Sequence, residues 1–547
     1  MIKRLAKNKF LNEKPTQSIA AAAFIISLAG IASRVLGLLR DRILAGQFGA
    51  GDTLDAYYAA FRIPDLIYNL VIIGALSAAF IPVFTQLITE KREEDGWKLS
   101  SGILSLQICI TGILLVILAI FTPQLMHLVT PGFSGEKMDL TITLTRIMFL
   151  SPFLLGISGI FGGILVSFKK FLIYSLAPIF YNIGIIIGAV YFVKFWGPIG
   201  LAWGVVLGAV MHMLVQYPSV KFSGFHFRPA FFDALKDATV RRVLKLMIPR
   251  TLTIAVTQIN FMIITIFAST LAAGSLAVFN FANNIQSAPL GLFGISFAIA
   301  VFPSLSAYAA QKNKEEFISA FSRTFRQILF FIIPVSVFIF VLRAQTVRLA
   351  LGSGKFDWND TILTFQILGL LTMSLLAQAL LPLLTRAFYA LQNTKTPLYV
   401  ALISEAVNLL TVALMIGKYG IFGLAIAFSL SSFVNAILLF FFLRKKLSSI
   451  DGKTILDSTV RIIIASLIGG GVAQIAKYVV GSRGELDTFL AVLRQFMIAG
   501  ISGAIAFAAA SYFLRVKEFF QFKESITRKL FGAKKVIQED TGEVTGI

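Results

Sequence analysis

The chain has one cysteine, three histidines and few charged residues among its 547, and each scarcity removes a class of chemistry. Cys109 stands alone in an apolar run, so no intrachain disulfide, thiolate metal cluster or paired-cysteine redox centre is available. His127, His212 and His226 share no metal-ligand spacing and read as core or interfacial histidines. Charged residues make up 14% of the sequence, and no polar stretch is long enough to form a soluble catalytic domain. Neither a glycine-rich phosphate loop ending in Lys-Ser/Thr nor a His-Glu-x-x-His segment occurs. The chain is therefore expected not to be an enzyme and to hold no cofactor. Any transport would be driven by a coupling cation or the membrane potential rather than by ATP bound to this chain.

Apolar sequence fills the space that charge leaves. Hydrophobic residues account for 57% of the chain, 52 of them phenylalanines, and the mean hydropathy is +0.83. This is too apolar for a soluble protein of such length. Apolar stretches of about 20 residues recur roughly fourteen times, and no sustained two-residue alternation suggests barrel strands. The expectation is an all-α polytopic membrane protein with about 14 transmembrane helices. The basic start, MIKRLAKNKF, and the apolar run after it read as an N-terminal anchor rather than a cleaved signal peptide.

A net charge of +22 could suggest a nucleic-acid partner, but the lysines and arginines concentrate in alternate loops and at the ends. Lys91–Lys98, Lys169–Lys170, Lys221–Lys245, Lys312–Lys314, Lys395, Arg444–Lys446 and the tail from Arg515 fall on one side. The loops near Gly49, Gly132, Gly197, Gly274, Gly354, Gly420 and Gly481 are short, glycine-rich and carry little excess positive charge. By the positive-inside rule both termini are expected in the cytoplasm, with no nucleic-acid role.

The sequence also repeats itself. PIGLAWG at Pro198–Gly204 parallels IFGLAIA at Ile421–Ala427, Gly200 and Gly423 being 223 residues apart and Pro82 and Pro303 221 apart. Six spans per repeat is an even number, so both halves enter the membrane in the same sense. That plan gives two parallel six-helix repeats around a central cavity, followed by two C-terminal helices. The expected divisions are 1–217 for the first repeat, 218–243 for a cytoplasmic linker, 244–446 for the second repeat, 447–515 for the two extra helices and 516–547 for a basic tail.

Charges between Ser33 and Phe84 break this pattern, among them Arg34, Arg40, Asp41, Arg42, Asp55, Arg62 and Asp65. Each would cost about 2.5–3.5 kcal/mol at mid-bilayer, so they must face water, the interface or one another. Arg34 and Asp41, seven residues apart, lie on nearly one helix face, and Asp55 and Arg62 repeat the spacing. If Ile19 opens the first span, Arg34 lies roughly 22 Å along it, too deep for easy snorkelling. Arg42 is expected at the far interface, where simple anchoring suffices. Arg250, beside Pro249, and the intramembrane Glu405 are further candidates, Arg250 for a cavity wall and Glu405 for ion coupling, against a structural or interfacial role for each.

SRVLGLLRD, FGAGDTLDAYYAAFRIPDL and GALSAAFIPVF together resemble the N-terminal signature of the MurJ/MviN family, proposed lipid II flippases of bacterial cell-wall synthesis. TPGF, PSLS and FYALQNTKTP extend the resemblance over most of the first 445 residues. It implies transport of a polyprenyl-pyrophosphate-linked peptidoglycan precursor across the inner membrane by alternating access. The expected partners are that lipid-linked glycan, membrane lipids and cell-wall synthesis proteins. Arg34, Arg40, Asp41 and Asp55 match positions important in the family, Arg62 matches a position occupied by Lys or Arg, and Arg250 is a possible substitute contact. Tyr68, Asn284 and Ile73 depart from family arginines and a glutamate. That leaves open another lipid-linked oligosaccharide, an amphipathic small molecule, or a transport-inactive scaffold.

Overall fold

The computed structural model describes residues 19–73, 80–482, 488–525 and 527, with side chains from Ile25 onward apart from 71–79, 246–254, 256 and 257. All regular structure among the described residues is helical. Ten helices there are long and apolar enough to cross a membrane, and the bent pair Trp358–Met373 and Leu375–Ala390, angled at 44°, makes up to eleven.

Contacts divide the chain into two units, the first comprising Met1–Phe281, Ala350–Thr361 and Val412–Leu424. Its tightest packing is glycine against glycine. The helices Phe171–Ile187 and Ile199–Phe222, with the π-segment Gly188–Phe192, approach so closely that a Cβ on Gly184 or Gly188 would overlap Gly208 or Gly204. Small residues one turn apart permit this approach, which replaces hydrophobic burial as the source of association in lipid. A second focus is aromatic: Trp97 stacks on Phe168 at 5.7 Å between centroids and packs near Phe84 and Phe225.

The second unit comprises Ala282–Leu349, Ile362–Thr411 and Ala425–Ile547. Its core is rich in phenylalanine, with Phe317, Phe321, Phe325 and Phe330 buried along the helix Lys314–Val341. The last two long helices, Gly452–Gly481 and Phe489–Phe513, meet where a Cβ on Gly503 would lie 2.8 Å from Gly469 O. Beyond them, Glu518 is buried, pairing with Arg326 and accepting a hydrogen bond from Ser458 Oγ at 2.6 Å. This carboxylate ties the short helical tail back to the bundle.

Helix ends follow a recurring plan. Left-handed residues close turns at Gly49, Lys91, Gly135, Lys169 and Gly197, and again at Gly274, Lys312, Gly354, Gln392 and Gly420, displaced by 219–225 residues. π-Helical segments interrupt Tyr68–Ile73 and Leu290–Ile295, displaced by 222.

Candidate functional site

The helix Ile19–Phe48 carries Arg34, Arg40, Asp41 and Arg42. Arg40 donates from Nε and Nη2 to Asp41 Oδ1 at 3.0 and 2.8 Å and from Nη1 to Asn182 Oδ1 at 3.2 Å. Asn182 Nδ2 in turn donates to Pro178 O at 3.0 Å, which fixes the amide with its oxygen towards the guanidinium. Asp41 is buried, Arg40 half-buried and Arg34 exposed. Asp41 therefore has its adjacent arginine as an ion-pair partner.

Arg42, expected at the interface, bonds the protein. Its Nη2 donates to Gly352 O at 3.1 Å, and neighbouring Gly46 O accepts from Lys355 N at 2.8 Å. Ala50 N donates to Asp360 Oδ2 at 2.9 Å. The end of the first helix is thus bound by protein, because the loop at 352–360 supplies carbonyls and a carboxylate where the sequence alone suggested water.

Asp55 lies four residues into the helix Asp52–Ala60 and is 1% exposed. Its Oδ2 accepts from Lys137 Nζ and Gly274 N, both at 2.8 Å, and its Oδ1 accepts from Ala277 N at 2.9 Å. Gly274 and Ala277 flank the start of the helix Ser275–Pro289. The first N–H groups of a helix lack partners within it and carry its positive dipole end, so Asp55 caps this helix from across the fold. Lys137 also pairs with Asp52 at 2.6 Å and lies 4.1 Å from the Phe133 ring centroid. A Cβ on Gly274, at φ +88°, would fall on the Ala50 carbonyl oxygen, so only glycine permits this approach. Tyr58, Phe281 and Phe356 form successive edge-to-face contacts at 5.7 and 5.9 Å.

Arg62 opens the helix Arg62–Ile67 and donates from Nε to Thr265 Oγ1 at 2.6 Å and from Nη2 to Asn280 Oδ1 at 2.9 Å. Its guanidinium lies 5.6 Å from the Phe261 ring centroid. The buried Tyr57 makes edge-to-face contacts with Tyr58 and Phe61 at 5.5 and 5.0 Å between centroids. Neutral oxygens rather than carboxylates hold Arg62's bonded nitrogens. Such a guanidinium can exchange weak acceptors for phosphate oxygens in a fork geometry.

Arg250 belongs to the helix Ala238–Ser269, but its side chain lies outside the described residues. Glu405 is half-buried on the helix Lys395–Tyr419 in the second unit. One turn on, Asn408 is fully buried and neither of its amide atoms has a hydrogen-bond partner.

Sequence reasoning missed Lys137, Asn182, Thr265 and Asn280 as partners. Lys137 had a usable signal: a lysine in a loop otherwise poor in positive charge, near an apolar span. The neutral residues had none, because asparagine and threonine in membrane helices more often satisfy a local carbonyl.

Residues 44–492 match the family described as "Lipid II flippase MurJ". A "Probable lipid II flippase MurJ" of Buchnera aphidicola subsp. Acyrthosiphon pisum is 32% identical over 418 residues, covering 76% of this chain and 81% of its own. The "Lipid II flippase MurJ" of Burkholderia cenocepacia is 28% identical over 433 residues, covering 78% and 84%. A solved structure, "Lipid II flippase MurJ, inward closed conformation", superposes with a TM-score of 0.73 at 27% identity, covering 90% of this chain and 99% of that one. An inward-facing multidrug resistance MATE family transporter of the MOP superfamily shares the fold at 17% identity and a TM-score of 0.63, covering 76% and 94%. The chain belongs to the MurJ family, whose members are multi-pass inner-membrane proteins.

Proposed function

We propose that this chain translocates lipid II across the cytoplasmic membrane by alternating access, a transporter's task rather than an enzyme's. The carrying observation is the match to the lipid II flippase family over residues 44–492. Arg40 and Arg62, each bonded in part by neutral side-chain oxygens, supply the chemistry a diphosphate requires. In this reading Arg34, Arg40, Arg62 and Arg250 contact the diphosphate, while Asp41 orients Arg40. Asp55 latches the face near Gly49, Gly132, Gly274 and Gly354 shut until cargo is loaded from the opposite side.

Fourteen spans are part of the proposal. The helix Ile19–Phe48, the helical segments from Asp52–Ala60 to Tyr68–Ile73 taken as one span, and the helix Ala238–Ser269 add three to the eleven apolar candidates. Two parallel repeats are supported by the matched left-handed turns and π-segments, and by Asp55 Oδ1 bonding Ala277, 222 residues away. In a repeat of that length, equivalent positions meet at the pseudo-two-fold axis. The bounds 1–217 and 244–446 for the repeats, cytoplasmic termini, and coupling through Glu405 to a cation or to the membrane potential complete the reading, with cell-wall synthesis proteins as partners.

Depleting the protein in its host, with no other flippase present, tests the proposal. Lipid II should disappear from the outer leaflet and accumulate inside. Undiminished exposure of lipid II outside would reject it.

A further inference from the structure

The two C-terminal helices end on a feature that the flippase reading does not use. A cleft of about 760 Å³ is lined by Arg461, Tyr512, Phe513, Arg515, Lys517 and Phe520, all in the second unit. It lies where the start of Gly452–Gly481 meets the end of Phe489–Phe513, as the Arg461 Nη1 bond to Leu514 O at 3.0 Å and the Ser458–Glu518 bond require. The loop leading into it follows Arg444, Lys445 and Lys446.

Charge on the cleft is unbalanced. Arg461 pairs with Asp457 at 3.0 Å, and Glu518 is turned inward to Arg326 and Ser458. Arg515 and Lys517 are exposed, and Lys517 has Asp451 within electrostatic reach. The apolar side of the cleft is equally open: Phe513 is 81% exposed and Tyr512 52%. Aromatic rings at the end of a span belong at the headgroup level of a bilayer, and basic residues beside them attract anionic lipid.

We propose that this cleft binds one anionic glycerophospholipid of the surrounding membrane. Its phosphodiester is held by Arg515 and Lys517, and its acyl chains lie along Phe513 and Tyr512. At about 760 Å³ the cleft lies within the range of small-molecule sites and has room for a headgroup with its glycerol. Arg461, already bonded to Asp457 and Leu514, frames the cleft, while the exposed Arg515 and Lys517 select the charge.

Native mass spectrometry of the full chain in detergent, given equal amounts of phosphatidylglycerol and phosphatidylcholine with the same acyl chains, tests this. One phosphatidylglycerol should be retained in preference. Arg515→Gln or Lys517→Gln should each weaken that retention roughly fivefold and the pair about 25-fold, with the melting temperature unchanged. The pair Arg444→Gln/Lys445→Gln, which lies outside the cleft, should leave retention intact. No headgroup preference in the natural chain, or equal weakening by the two pairs, would overturn the site. Displacement of phosphatidylglycerol by an equal amount of polyprenyl phosphate would overturn the choice of lipid.

Discussion

Replacing Asp55 by alanine removes the acceptor of three bonds at once: Lys137 Nζ, Gly274 N and Ala277 N, all at 2.8–2.9 Å. Two helix-end N–H groups would be left without an acceptor, and Lys137 would retain only the exposed Asp52. Breaking a buried charge pair typically costs about 3–5 kcal/mol, which shifts the equilibrium between latched and open forms by between about two and four powers of ten. Asparagine keeps an oxygen for the backbone donors but loses the charge, so about 1–2 kcal/mol, roughly tenfold, is expected. Opening can be read at position 277, where alanine is 0% exposed. In a Cys109→Ser background, Ala277→Cys should react slowly with a membrane-impermeant maleimide applied from outside. Adding Asp55→Ala should speed that reaction at least a hundredfold, and Asp55→Asn by about ten. Equal, slow labelling of all three proteins, each with a melting temperature within a few degrees of the others, would refute the latch.

Other substitutions probe neighbouring links. Gly274→Ala should speed the same labelling, since its Cβ falls on Ala50 O, whereas Gly417→Ala, with nothing within 4 Å, should not. Arg62→Lys can satisfy Thr265 or Asn280 but not both, so lipid II retention in native mass spectrometry should drop by about tenfold, and Arg62→Ala should abolish it. Glu518→Ala should lower stability by about 3–5 kcal/mol in denaturant unfolding, because it strands the largely buried Arg326. At Asp451 burial pushes the carboxyl up, but hydrogen bonds from Thr454 and Ser322, with the charges of Arg326 and Lys517, outweigh it and hold it below the usual range. Its stabilisation is therefore present above the ordinary carboxylate pKa and lost as pH falls through the depressed one. Melting temperatures from pH 5 to 2 should fall less steeply in Asp451→Asn.

The helical class, the family and the charge-bearing stretch at 33–84 were legible in the sequence because lipid permits few charges, so each one that remains stands out. Arg40, Asp41, Asp55 and Arg62 were found for that reason. Their pairings were not legible. The seven-residue spacing brought Arg34 and Asp41 to one face, yet a flexible arginine can reach the carboxylate next to it, and Arg40 does. The partner of Arg42 was hidden because helical depth says nothing about a loop some 310 residues later that returns to bond it. Asp55 as the cap of a remote helix was equally hidden, since its acceptor role is met by backbone N–H groups that any sequence could supply.

Transport itself is the most direct test. Liposomes carrying lipid II on their inner leaflet, with and without this protein, can be exposed to a peptidoglycan glycosyltransferase added outside. The account predicts polymerised product only with the protein present, and its loss when Arg40 and Arg62 are both replaced by glutamine. Product of equal amount from protein-free liposomes, or full activity of the double variant, would contradict it.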